Sequence, residues 1–132
     1  MIHTAPVPPF RIAVGGLTEG VTVHDAVGVV GFDLLAIHRT YRGPGEAPWS
    51  VSDVVSGRRA LAAATLDAAI EATACMAWLG RDFFELIAWS RDRPDPERPV
   101  PDDEIPSHLM PALRAARAIR VAAERAEQAV AS

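Results

Sequence analysis

Residues 66 to 89 read LDAAIEATACMAWLGRDFFELIAW, the longest uninterrupted helical pattern in the chain. At about 100° per residue, Leu66, Ala69, Ile70, Thr73, Met76, Ala77, Leu79, Phe83, Phe84, Leu86 and Ile87 sweep roughly two thirds of the helix circumference. A surface helix buries a narrower stripe, so this segment is expected at the centre of the fold. The remaining arc carries Asp67, Glu71, Asp82 and Glu85, with Trp78 and Trp89 among those carboxylates. The helix is expected to continue to about Arg91, with Gly80 as a weak point.

Upstream, Ser50 and Asp53 form a capping pattern that opens a second helix. If that helix ran unbroken into the central one, Arg58 and Arg59 would project into the apolar arc, so a break is expected near Gly57. From Thr22 to about Arg42 the recurrence of Val23, Val27, Val30, Leu34, Ile37 and Tyr41 predicts a first helix, ended by Gly43, Pro44 and Gly45. Gly28 and Gly31 would each cost about 1 kcal/mol there, and the competing reading is a buried strand. FRIAV (10–14) and VTV (21–23) could pair as a short hairpin resting on the helices. Residues 1–9, with Pro6, Pro8 and Pro9, read as an extended arm.

Downstream, residues 94–106 (PDPERPVPDDEIP) hold five prolines and five acidic side chains, which predicts an extended linker. Residues 107–132 then hold a last helix, from about Pro111 to Ala129. Its alanine-rich face is Ala112, Ala115, Ile119, Ala122, Ala123, Ala126 and Val130, with Arg114, Arg117 and Arg125 opposite. The predicted fold is mainly α: a single domain over 1–132, built as a three- or four-helix bundle around a long central helix.

Composition narrows function mostly by exclusion. There is no Lys and no Asn, and all thirteen basic residues are Arg, a bias that points to a high-GC genome. The net charge of −4 argues against nucleic acid, which calls for a basic surface. MIHTAPVPPF lacks the basic start and apolar run of a signal peptide. The apolar window 72–90 is broken by Arg81, Asp82 and Glu85 and falls short of a membrane span. A cytoplasmic protein, or one carried in a particle assembled there, is expected, with no membrane partner.

No motif for catalysis, cofactor or metal emerges. Asp67/Glu71 and Asp82/Glu85 are each one turn apart, but without a Glu-x-x-His pair they read as a solvated helix edge. His24 and His38, fourteen residues apart on one helix, would be about 21 Å apart and cannot share a metal. Val14, Gly15 and Gly16 lack the spacing of a phosphate-binding turn. Cys75 is the sole cysteine, is expected in the apolar arc, and cannot form an intramolecular disulfide.

The functional expectation is a non-enzymatic interaction or assembly protein that self-associates or docks in a larger complex, a phage or particle component being one compatible setting. Its interface would use Trp78 and Trp89, with Asp82, Glu85, Arg58 and Arg59 around them. The alternative is a small-molecule-binding bundle or small enzyme, with a pocket lined by His38, Tyr41, Met76 and Phe84. A nucleic-acid-binding regulator ranks last.

Overall fold

A computed structural model of the chain describes residues 2–14, 17–40, 47–92 and 101–131. Tyr41, residues 43–46, Gly15 and Gly16, and residues 94–100 of the acidic stretch lie outside them. In chain order the strands are β1 (Thr4–Pro6), β2 (Phe10–Val14), β3 (Leu17–Val23), β4 (Val27–Val29), β5 (Leu35–Arg39), β6 (Trp49–Asp53) and β7 (Arg59–Ala63). The helices are α1 (Leu66–Ala77), α2 (Arg81–Arg91) and α3 (Met110–Ala131), with 3-10 turns at Asp102–Glu104 and Ser107–Leu109. Strands β1-β4-β5-β6-β7 form an antiparallel sheet in that spatial order, and β2 and β3 form a separate hairpin. The protein is therefore mixed α/β, and the expectation of a mainly α bundle is overturned.

The reason lies in how the middle of the sheet is buried. Leu35, Ile37, Val51, Leu61 and Ala63 pack against Ala69, Ala72, Met76 and Phe83 on the helical side. Ala36 joins Phe10, Ile12 and Val23 on the hairpin side. A strand covered on both faces loses the alternation that marks a half-buried one and reads as a continuous apolar run. The three-to-four spacing of Val27, Val30, Leu34 and Ile37 comes from β4, a turn and β5. Gly31 closes that turn at φ +87°, a conformation that strains any residue with a Cβ. The competing reading of this segment as strand is the one that holds.

The expected hairpin is present, with its second strand longer than VTV, and it lies on the sheet rather than on helices. Ser50 and Asp53 sit within β6. The residue that caps the helix is Thr65, whose Oγ1 accepts from Ala68 N at 3.0 Å.

The long central helix is two helices. Hydrogen bonds tighten from Trp78 to Gly80, where φ is +69°, and α2 restarts with the N–H groups of Phe83 and Phe84 on the Gly80 carbonyl. A change of axis resets the phase, so projecting 66–89 on one wheel exaggerates the apolar arc. In fact α1 buries Ala68, Ala69, Ala72, Thr73 and Met76, and α2 buries Phe83 and Leu86. In α3, Ala112 and Ala123 are buried, while Arg114, Arg117, Arg125 and Ala122 are exposed.

Gly57, in the β6–β7 turn, lets the backbone of β2 pass close to that turn. Its φ is +74°, and a Cβ there would lie 2.3 Å from the Arg11 carbonyl oxygen and 2.9 Å from Ile12 Cα. Gly31 shares the positive φ, but a Cβ there would meet nothing within 4 Å. Gly31→Ala is thus expected to cost about 1–2 kcal/mol of backbone strain alone. Gly57→Ala adds displacement of β2 and is expected to cost clearly more, as urea unfolding of the two variants side by side would measure.

Candidate functional site

Two places combine chemistry with a defined geometry: the corner between α1 and α2, and a polar ladder beneath the hairpin. At the corner, Trp78 ends α1 and its side chain stands 89% exposed. Its backbone is fixed on either side, because Met76 and Phe83 are buried at 2%. Phe84, just past Gly80, is 47% exposed, and its ring meets that of Phe32 edge-on at 5.7 Å. Asp82 is exposed. Glu85 is half-buried, accepting from Arg81 Nε at 3.2 Å, with His108 Nε2 also at 3.2 Å. Cys75 is exposed one turn before Trp78, not buried as expected. Trp89 is half-buried against the core.

The far end of α2 is held to the sheet by a latch. Asp53 Oδ2 accepts from Arg91 Nε at 2.7 Å and from Ser56 Oγ at 2.7 Å. Its Oδ1 accepts from the Val55 N–H at 3.0 Å and from a second nitrogen of Arg91. Arg58 returns the contact by donating to the Ser90 carbonyl at 3.0 Å. The last turn of α2 is thereby fastened to the β6–β7 turn from both sides. Arg59, next along, begins β7 and is exposed. No local pattern announces the Asp53–Arg91 pair, whose members are 38 residues apart. The nearest signal was the Ser50/Asp53 spacing, which pointed to a helix cap.

Beneath the hairpin, His38 Nδ1 lies 2.7 Å from the Arg39 carbonyl oxygen and Nε2 lies 2.8 Å from Ser52 Oγ. A carbonyl only accepts, so the neutral ring carries its proton on Nδ1 and its Nε2 accepts from the Ser52 hydroxyl. A serine on an oriented histidine is the arrangement of an activated nucleophile. Here it is sealed: His38 and Ser52 are 3% and 2% exposed, and Phe10 lies edge-on to the imidazole at 6.0 Å. With Thr40 and Ser50 bonded alongside at 2.7 Å, the ladder satisfies polar groups that the hairpin buries. Among the described residues, no buried side-chain N or O atom lacks a partner.

Burial pushes the His38 pKa down, the bond to the Arg39 carbonyl opposes this, and the positive charge of Arg59 adds to it, leaving it below 6.5. The unfolded chain therefore takes up this proton first as pH falls. The stability contributed by neutral His38 is complete above 6.5 and declines as pH drops from there to the folded-state pKa. Denaturant midpoints measured from about pH 7.5 to about pH 5.5 should fall in the wild type and flatten in His38→Gln.

His38 faces the hairpin, whereas Met76 is buried in the core on the helical side of the sheet. These two members of the expected pocket are not brought together, and Phe84 lies on the helical side with Phe32. A different groove, of about 580 Å³, runs between the N-terminal arm and the β4–β5 turn, lined by Val7, Pro9, Phe10, Val30, Phe32, Asp33 and Val54 among others. Among the described residues no cluster of three or more His, Cys, Asp or Glu could hold a metal. No helix among them is long and apolar enough to cross a membrane.

The chain matches no family model, and no curated protein or solved structure is significantly similar to it. What it offers a partner is read from its own surface, where Trp78 stands out from every other large apolar side chain described.

Proposed function

We propose that this chain is a non-enzymatic interaction module that self-associates, alone or within a larger assembly, through the α1–α2 corner with Trp78 as its anchor. The observation that carries the reading is the exposure of that indole, 89%, on backbone held by buried neighbours. Covering roughly 200 Å² of it would contribute about 5 kcal/mol before association costs are deducted. The described residues leave that surface uncovered. Exposed Arg81, Asp82 and Phe84 follow it within the first turn of α2 and add one more aromatic and charges of both signs, the mixture found around a binding anchor. Trp89, near the other end of α2, packs against the core and is not part of this contact surface.

Solution mass, measured by light scattering after size exclusion over a hundredfold concentration range, tests this for the wild type and Trp78→Ser. A defined oligomer that the substitution dissolves supports it. Equal masses for both proteins across the range would remove Trp78 from any self-interface.

A further inference from the structure

The N-terminal arm ends the sheet by lying on the outer edge of β4, with Thr4, Ala5 and Pro6 opposite Val29, Gly28 and Val27. Val7 N donates to the Ala26 carbonyl and Val30 N to the His3 carbonyl, each at 2.9 Å. These bonds make 3/30, 5/28 and 7/26 the hydrogen-bonded positions and turn the backbone polar groups of Thr4 and Pro6 outward. Proline thus stands where its missing N–H takes nothing from β4 and blunts the outer edge against a further strand. β1 is suited to be the last strand of the sheet.

Side chains hold the arm only lightly. Thr4, Ala5 and Pro6 are all exposed. Val7 is half-buried over Gly28, where a Cβ would come within 3.0 Å of the valine Cγ2. What seats the arm is therefore backbone bonding and one valine, and the arm of any copy can make the same contacts. Pro8 and Pro9 join the arm to β2 and favour extended backbone. Released from β4, residues 2–9 would project about 25 Å at about 3 Å per residue, far enough to reach a neighbouring molecule.

We propose that the outer edge of β4 is a strand-acceptor site, and that in the assembled protein its occupant is the arm of a second copy. The inference rests on the self-association reading above. A reciprocal exchange replaces each contact within one chain by the same contact between chains and leaves neither β4 edge open. It would tie together copies that first meet elsewhere on their surfaces.

The test uses full-length protein in a Cys75→Ser background. One chain carries Thr4→Cys and a second, distinguished by a mass tag, carries Val29→Cys. The two positions face each other at a non-hydrogen-bonded site of the ladder, where Cβ atoms lie about 4.5–5.5 Å apart, close to disulfide reach. Mixed at assembling concentration and oxidised, they should give a covalent heterodimer as the main product. The background is set by replacing Thr4→Cys with Thr22→Cys, at an exposed position of β3. A chain with both cysteines, oxidised at high dilution, should close on itself. Failure of that closure overturns the acceptor site. Assembly without the heterodimer, with closure intact, overturns the exchange and leaves self-association standing. A chain that stays monomeric and gives no heterodimer overturns both.

Discussion

Trp78→Ser is expected to weaken self-association by at least about 30-fold while leaving the free energy of unfolding within about 0.5 kcal/mol of wild type. The fold-change corresponds to about 2 kcal/mol, the lower bound for a binding hot spot. The absence of a stability change follows from exposure: at 89% the indole contributes little to the folded monomer, and serine leaves no cavity. Trp89→Ser supplies the contrast, since Trp89 is half-buried against the core and its loss should lower stability directly. Light scattering and urea unfolding on both variants separate the roles. A Trp78→Ser protein that unfolds easily would return this residue to the interior of the fold.

Asp53→Ala is expected to cause the largest loss of stability, about 3 kcal/mol. The carboxylate is 4% exposed as a residue and accepts from Arg91, Ser56 and Val55. Removing it strands the guanidinium and two further donors. Breaking a buried pair from one side costs about 3–5 kcal/mol; the Arg91 side chain is 25% exposed and keeps some water, which places the estimate at the lower end. Asp53→Asn retains the shape and loses the charge, so a smaller loss is expected. Both are read by urea unfolding at neutral pH.

The same carboxylate predicts an acid limb. Burial pushes the Asp53 pKa up, but the bonds from Arg91, Ser56 and Val55 outweigh it and hold it below 3.8. As pH falls below 3.8 the unfolded chain protonates this group first. Its contribution is therefore complete above that pH and is lost as pH drops through the folded-state value. That limb should vanish in Asp53→Asn, while the decline below 6.5 assigned to His38 persists.

The segments of α1, α2 and α3 and the hairpin were legible because their signals are local, whereas the helices expected from Thr22 and from Ser50 are strands and turns in the structure. The periodicity from Leu66 predicts α1, while its cap, Thr65, was missed in favour of the Ser50 and Asp53 pattern. Gly80 marked the weak point where α2 begins. Alanines with arginines opposite predict α3, and FRIAV with VTV predicts a hairpin. Of the candidate site, Trp78 stood out in the sequence as a large aromatic among carboxylates, but its difference in exposure from Trp89 was not legible. That difference depends on the axis change at Gly80 and on what α2 packs against.

The sequence by itself determined the elements whose hydrogen bonds close within a few residues, where propensity, capping and spacing decide the outcome. Only the tertiary structure decided the rest. Val27–Val29 and Leu35–Arg39 became strands because β5 lies between β4 and β6 and is covered on both faces, a burial that erases the period-two pattern. Asp53 found Arg91 across 38 residues, and Gly57 met the backbone of β2, because the chain folded them together. Pairing between distant segments is set by which apolar faces can be buried at once, and no stretch of sequence read alone contains that sum.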